Sequence, residues 1–278
     1  INVYGKFVQA YKSGGFNTRD PQRGGTGFAA GTPGKGDDTA VEAPDGNVYG
    51  FGFADGFDEE RVASFEAGIK SELMDRRLRI NANIFYSEYT DIQLNFILAG
   101  TVADTKVANA GEAEMRGFET DITYLASENL MLMLNYAFLD AEVTKAVDEF
   151  GNDLTDSFGF YSAPSQSYTA SADYTVGQYD WGQLAVNLSY NFMDNRRGGI
   201  RGANSKNVYL GEYGLINGRV SFSEIQVSKY GTLYFGLWGK NLTDKEYEIT
   251  AVDNLPHSDR TVIWGDPRSY GIDLIYQY

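Results

Sequence analysis

Apolar and polar side chains alternate with a period of two over most of this chain. Residues 183–192 display it most cleanly, with Leu184, Val186, Leu188, Tyr190 and Phe192 on one side and Gln183, Ala185, Asn187, Ser189 and Asn191 on the other. Residues 78–87 set Leu78, Ile80, Ala82, Ile84 and Tyr86 against Arg79, Asn81, Asn83 and Ser87, with Phe85 as an exception. Tyr168, Ala170, Ala172, Tyr174 and Val176 oppose Ser165, Ser167, Thr169, Ser171, Asp173 and Thr175. At the end, Tyr270, Ile272, Leu274, Tyr276 and Tyr278 oppose Gly271, Asp273 and Gln277, with Ile275 out of step. A face that returns every second residue belongs to a strand, because a helical face returns every 3.6.

Extended over the chain, the pattern predicts about ten strands, at residues 1–11, 61–72, 77–98, 103–125, 129–143, 165–177, 180–194, 207–223, 230–241 and 268–278. Most of them run to about 11–17 residues, long enough to cross a bilayer while tilted, whereas sandwich strands run to about 5–6. Connections alternate in length. Short turns fall at Met74-Asp75-Arg76, Ser127-Glu128-Asn129, Gly177 to Asp180 and Ser223 to Lys229; long polar loops fall at 12–60, 144–164, 195–206 and 242–267. A short connection near 99–102 interrupts the long-loop side. Aromatics gather near strand ends, as interface girdles require, and alternating turns and loops are the pattern of bacterial membrane barrels, with turns periplasmic and loops outside. An even strand count then puts both chain ends on the periplasmic side.

Composition fits the same architecture. Hydrophobic residues are 42% and mean hydropathy is -0.35, as in a soluble protein, and the longest apolar stretch runs only from Leu130 to Leu134. That is far short of the roughly 18 residues of a membrane-spanning helix. Yet aromatics reach 14%, with 20 Tyr, 32 Gly, 6 Pro and no Cys. A transmembrane barrel explains the combination: Tyr for girdles, Gly for turns and crowded wall positions, and lumen-facing polar residues that lower the average. The net charge of -15 argues against nucleic acid, which needs a basic footprint. Ile1 opens directly in strand-like sequence with no signal peptide, so the chain reads as mature or truncated.

Several segments resemble TonB-dependent outer-membrane receptors. Residues 4–17 read YGKFVQAYKSGGFN, residues 65–73 FEAGIKSEL, residues 84–93 IFYSEYTDIQ and residues 109–119 NAGEAEMRGFE. Residues 241–247 (NLTDKEY) and 266–278 (DPRSYGIDLIYQY) resemble the family's C-terminal box and closing strand. The motifs follow one another in the family's order. The resemblance implies an all-β, transmembrane antiparallel β-barrel of 22 strands plugged by an N-terminal domain. Residues 1–278 would then be its C-terminal portion, with the plug and the N-terminal strands outside this chain. Ten strands cut from a wide barrel leave two open edges, and unpaired backbone in hydrocarbon is costly. The first strand is therefore expected to pair with one from another chain or segment. The alternative, closure of these strands alone, would leave a narrow interior.

The resemblance further implies uptake of a scarce nutrient energised by TonB, with a ferric siderophore complex as the default substrate. The alternatives are a passive porin-like or structural barrel and, least favoured, an outer-membrane hydrolase. Implied partners are the TonB complex acting through the plug, the barrel assembly machinery, lipopolysaccharide, and the remaining strands and plug. Tyr270, Tyr276 and Tyr278 resemble the terminal signal read by the assembly machinery, and as plain interface aromatics they need no such role.

Candidate chemistry is sparse. His257 is the only histidine and lies beside Pro256, Ser258 and Asp259; without Cys, a zinc site would rest on carboxylates alone. A Ser-His-Asp site would need the same His, and no nucleophile elbow occurs, so neither a catalytic site nor a cofactor is expected. The Gly-rich stretch 23–36 lacks Walker spacing, since Lys35 precedes Gly36. Asp148, Glu149, Asn152, Asp153 and Asp156 offer Ca²⁺-type oxygens without EF-hand order, and suit a solvated loop as well. Arg196, Arg197 and Arg201 cluster with Gly198, Gly199 and Gly202. Guanidinium forks suit carboxylate and phosphate, so this cluster is open to an anionic ligand, to lipopolysaccharide phosphates, or to water alone. Tyr49, Phe51, Phe53, Phe57, Phe158, Phe160 and Tyr161 suit either an aromatic vestibule or loop packing.

Overall fold

The computed structural model describes residues 1–16, 40–42, 48–50, 56–97, 105–147, 152–198, 208–228, 231–254 and 259–278. Its strands are, in chain order, β1 (Asn2–Lys12), β2 (Gly15–Phe16), β3 (Ala40–Glu42), β4 (Val48–Gly50), β5 (Gly56–Phe57), β6 (Glu60–Leu73), β7 (Leu78–Ile97), β8 (Thr105–Ser127) and β9 (Leu130–Ala146). There follow β10 (Gln166–Tyr179), β11 (Gly182–Met193), β12 (Arg196–Arg197), β13 (Tyr209–Leu210), β14 (Tyr213–Ser228), β15 (Gly231–Lys240), β16 (Glu248–Asn254), β17 (Asp259–Trp264) and β18 (Ser269–Gln277). Ten of them make one antiparallel sheet in the order β1-β6-β7-β8-β9-β10-β11-β14-β15-β18. Apart from the small loop strands, each pairs with its neighbour in sequence, as in an up-and-down barrel wall.

The two faces differ as the alternation predicts. One row of facing residues runs Leu78, Tyr124, Leu132, Ala172, Leu188, Gly218, Gly239 and Tyr270 across eight strands. The next on that face runs Ile80, Ile122, Leu134, Ala170, Tyr190 and Ile216. On the opposite face one row runs Asn2, Lys70, Asn81, Asp121, Asn135, Thr169 and Asn191. Asn83, Glu119, Asp121, Asn135, Thr169 and Asn191 line a hollow of about 480 Å³, so the polar face is the concave one.

Among the described residues none packs over the apolar face. Leu188 is 52% exposed and Ile272 66%. Among the described residues the buried apolar side chains are Ala113, Ala146, Val208, Leu210 and Ala251, all toward the loop end. An uncovered apolar face of this extent is a surface made for lipid. Aromatic contacts bound it at both ends. Tyr179 stacks on Trp181 at 4.9 Å, and Phe222 meets Trp181 and Phe235 near the short turns. Phe7 and Phe65 at 4.5 Å, Phe118 with Tyr136, and Tyr168 with Phe192 at 5.0 Å form the band nearer the loops.

One of the two exceptions to the alternation, Phe85, has a plain reason. Phe85 points inward because Gly117, opposite it on β8, leaves room: a Cβ there would lie 2.5 Å from the Phe85 ring. The apolar run from Leu130 to Leu134 divides between faces, with Met131 beside Asp173 and Met133 beside Ser171 on the polar side.

Element boundaries needed correction. The expected turn from Ser223 to Lys229 is strand as far as Ser228. Register irregularities between Phe222 and Ile225 and between Gln226 and Ser228 mark the place, with Glu224 at φ 56. The sequence looked like a turn because bulges break the alternation. The turn expected from Gly177 to Asp180 shifts in the same way: β10 continues to Tyr179, with an irregularity between Thr175 and Gly177. The strand expected at 207–223 begins at Tyr213, and Tyr209–Leu210 belongs to a separate small sheet with β12. At the first hairpin, Met74, Asp75 and Arg76 all have positive φ.

The sheet is open. Among the described residues β1 pairs only with β6 and β18 only with β15, so the ten strands do not close on themselves and the narrow-barrel alternative is set aside.

Candidate functional site

Family-like motifs earn their place at the loop end by pinning loop roots. Asn241 of the NLTDKEY segment is 3% exposed. Its Nδ2 donates to the carbonyls of Lys245 (2.9 Å) and Asp266 (3.1 Å), its Oδ1 accepts Lys245 N (2.8 Å), and its own N donates to Asn217 Oδ1 (3.0 Å). Asp244 Oδ1 accepts the backbone N of Arg268 at 3.1 Å, joining the NLTDKEY and DPRSYG segments. Gln93 Nε2 donates to Ser13 O (3.0 Å) and Asp58 O (3.1 Å), and Asn109 Nδ2 to Asp58 O (2.9 Å) and Asp91 O (2.7 Å). These two side chains fasten both roots of the first long loop to the extended β7–β8 ribbon. The sequence reading missed their role although both lie in segments quoted for the resemblance, because a hydrogen-bonding amide looks the same in a lumen row.

The long loops between β11 and β14 and between β15 and β18 fold together. Val208, Leu210 and Ala251 make a small core with Val262, between the β12–β13 pair and the β16–β17 hairpin. Arg196 closes this unit. Its Nη2 donates to the carbonyls of Glu248 (3.1 Å) and Ile249 (3.2 Å), and its guanidinium lies 5.4 Å from the centroid of Tyr213. Tyr213 in turn packs on Tyr247 at 4.4 Å. Arg260 Nη2 donates to Tyr209 O (3.1 Å) and pairs with Glu248 Oε2 (2.7 Å).

Arg197 goes the other way, as the next residue of a strand must. It lies over Gly159, where a Cβ would come within 2.6 Å of its Cζ, and its carbonyl accepts Ser162 N at 2.9 Å. The structure thus places the two predicted arginines back to back rather than in one fork. Each has an Nη1 that is buried with no partner among the described residues. Arg201, His257, Phe51, Phe53, Asp148, Glu149 and the Gly-rich stretch 23–36 lie outside the described residues.

Asp153 of the acidic loop is occupied locally: the Thr155 hydroxyl donates to it, its Oδ1 accepts Thr155 N at 2.9 Å, and these two bonds hold its carboxyl below the usual carboxylate range. Among the described residues no group of three or more His, Asp or Glu is placed to hold a metal. Of the aromatics, Phe57 packs over Gly15, while Phe158 and Phe160 are half-buried and Tyr161 is exposed.

The lumen face carries a second polar array. Tyr4 Oη donates to Glu66 Oε1 (2.6 Å), Asn83 Nδ2 to Glu119 Oε2 (3.3 Å) and Asn187 Nδ2 to Asp173 Oδ1 (2.6 Å). Arg219 pairs with Asp273 across β15 and donates to Tyr234 Oη at 2.8 Å, while Trp238 Nε1 donates to Asp273 Oδ1 at 3.3 Å. Tyr270, Tyr276 and Tyr278 lie on or beside β18, on the apolar side of the last edge, with Tyr270 near Gly239 and Tyr276 over Gly231.

An open antiparallel wall, apolar outside and polar inside, with aromatic bands at both ends, defines a segment of a wide transmembrane β-barrel. Residues 1–242 match the family model described as TonB dependent receptor-like, beta-barrel, and the chain belongs to that family. It is a family of receptors and transporters, and its barrels are outer-membrane proteins. The ferric yersiniabactin uptake receptor FyuA from Yersinia pestis is similar over 99% of this chain and 35% of its own, with TM-score 0.68 and 18% identity. BauA, the ferric preacinetobactin receptor from Acinetobacter baumannii, is similar over 99% of this chain and 33% of its own, with TM-score 0.62 and 17% identity. At such identities the likeness is one of fold. In sequence, the metal-pseudopaline receptor CntO of Pseudomonas aeruginosa is 35% identical over 89 residues, which is 32% of this chain and 12% of that receptor. The chain therefore spans about a third of the length of the receptors whose structures it matches.

Proposed function

We propose that this chain is the C-terminal part of the barrel of an outer-membrane receptor that imports a ferric siderophore complex, energised by TonB acting on a plug domain. The observation that carries the reading is the open ten-stranded wall with a polar concave face. Open edges in hydrocarbon leave unpaired N–H and C=O groups at several kcal/mol each, so β1 and β18 require partner strands. Those strands complete a barrel whose interior is wide enough to hold a domain. The names of FyuA and BauA support iron–siderophore cargo; the name of CntO supports a metal complex more broadly.

In this reading the short turns face the periplasm and the loops with Arg196 and Arg197 face the exterior. The charged lumen rows with Lys70, Glu66 and Glu119 meet the plug, and β18 with Tyr270, Tyr276 and Tyr278 offers its edge to the assembly machinery. The test is uptake of ⁵⁵Fe-loaded siderophores by iron-starved cells that lack the native receptor and carry the whole gene. Uptake is expected with TonB and lost without it. Uptake that persists without TonB would make the protein a passive barrel, and no uptake of any iron complex would remove the siderophore reading.

A further inference from the structure

Arg196 is 7% exposed, and a guanidinium stays charged at every physiological pH. Buried charges are stable only when paired. Two carbonyls and the Tyr213 ring satisfy part of its fork, but among the described residues no carboxylate pairs with it. Glu248 Oε2 pairs with Arg260 at 2.7 Å instead, and Asp194 Oδ1 accepts Asn195 N at 2.7 Å. No Asp or Glu occurs from Asn195 to Asn207, in a chain whose net charge is -15. Arg197 adds a second cation, and each residue has a buried, unpaired Nη1. Among the described residues the junction lacks an acceptor for both Nη1 atoms and a carboxylate paired with Arg196.

We propose that the loop junction at Arg196 and Arg197 binds an oxoanion of the carboxylate or phosphate class. Arg196 Nη1 donates to one of its oxygens, and Arg197 contributes charge from the opposite face of β12. A guanidinium fork matches the planar carboxylate and the phosphate oxygens better than an ammonium does. Both Nη1 atoms lie beneath the surface, so binding requires a local rearrangement around Arg196 and Arg197. Two sources share this chemistry: an anionic group on a diffusible ligand, and a phosphate of the outer leaflet. Connecting the site to imported cargo rests on the receptor reading above; the anion site itself does not.

The whole receptor in detergent is titrated with citrate and with inorganic phosphate by calorimetry, and its loops are probed by limited proteolysis. Wild type is expected to bind one of the probes and to gain protease resistance. Arg196→Gln should bind at least tenfold more weakly and Arg197→Gln several-fold more weakly, while Arg268→Gln, an exposed residue paired with Asp244, should bind as wild type does. If Arg196→Gln fails to fold, judged by heat-modifiable mobility, Arg197→Gln and Arg196→Lys carry the comparison, the latter retaining charge but losing the fork. Repeating the titration in nanodiscs with and without lipid A separates the sources. Loss of citrate binding in lipid A, with lipid A retained by wild type and released by the arginine variants, assigns the outer leaflet; unchanged citrate binding assigns a diffusible ligand. No binding by wild type, or equal binding by wild type and the folded arginine variants, overturns the proposal. Iron uptake measured on the same variants keeps the two readings apart: uptake without anion binding removes the site and leaves the receptor.

Discussion

Leu188 and Asn187 are adjacent on β11, yet they obey different rules. Leu188 stands in a row of apolar residues that none of the described residues covers, 52% exposed. Asn187 stands in a row with Asp173 and Arg219 and donates to Asp173 Oδ1 at 2.6 Å. The outer face specifies only a character, because lipid has no shape to match and any apolar side chain of modest size will serve. The inner face specifies partners, because polar groups in a wall must find donors and acceptors. A barrel wall thus carries its hydrophobic information outside and its pairwise information inside, the reverse of a soluble sandwich.

Substitutions can break or sharpen that contrast. The largest effect is expected from Leu188→Arg, about 2–4 kcal/mol if the site lies at the bilayer midplane. Urea unfolding from lipid vesicles followed by Trp fluorescence would measure it. Asn187→Arg in the same assay should cost far less; equal penalties would contradict the assigned faces. Gly117→Val should follow, at about 1–3 kcal/mol, since its new side chain would meet the Phe138 carbonyl oxygen and the Phe85 ring, both 2.5 Å from the Cβ position. Restoration by a second change, Phe85→Ala, would be only partial because the backbone oxygen remains.

Smaller still is Asp273→Asn, which loosens the Arg219 pair on the half-exposed inner wall and is expected to cost at most about 1 kcal/mol. A loss as large as that of Leu188→Arg would mean that the inner network, rather than the outer face, holds the last strands together. The smallest effect concerns pH. Asp153 titrates below its ordinary value because Thr155 donates to it. Its contribution is complete above the ordinary carboxylate pKa of about 4 and fades as pH falls through the depressed value. Amide exchange of Thr155 should accelerate relative to its neighbours only below that range, and Asp153→Asn should abolish the pH dependence.

Much of the wall was legible in the sequence because a period of two, repeated over ten strands, has few other physical meanings. The faces of residues 183–192 and 165–176 followed from it directly. Boundaries were less legible where bulges interrupted the period, as around Glu224 and Gly177. At the loop end the sequence supplied the residue types but misjudged their arrangement. Arg196 and Arg197 read as one cluster, and the period of two that was so useful in the wall splits them in the two-residue strand β12. Their partners, Tyr213, Glu248, Ile249 and Gly159, come from three other segments, with no spacing to announce them.

The sequence by itself determined that this chain makes a wall with one face for lipid and one for polar company, because alternation is local and survives without knowledge of neighbours. Tertiary structure alone decided which loops join, which charges are paired and which are left over. Those outcomes depend on register between strands far apart in the chain, and a shift of one residue exchanges the two faces.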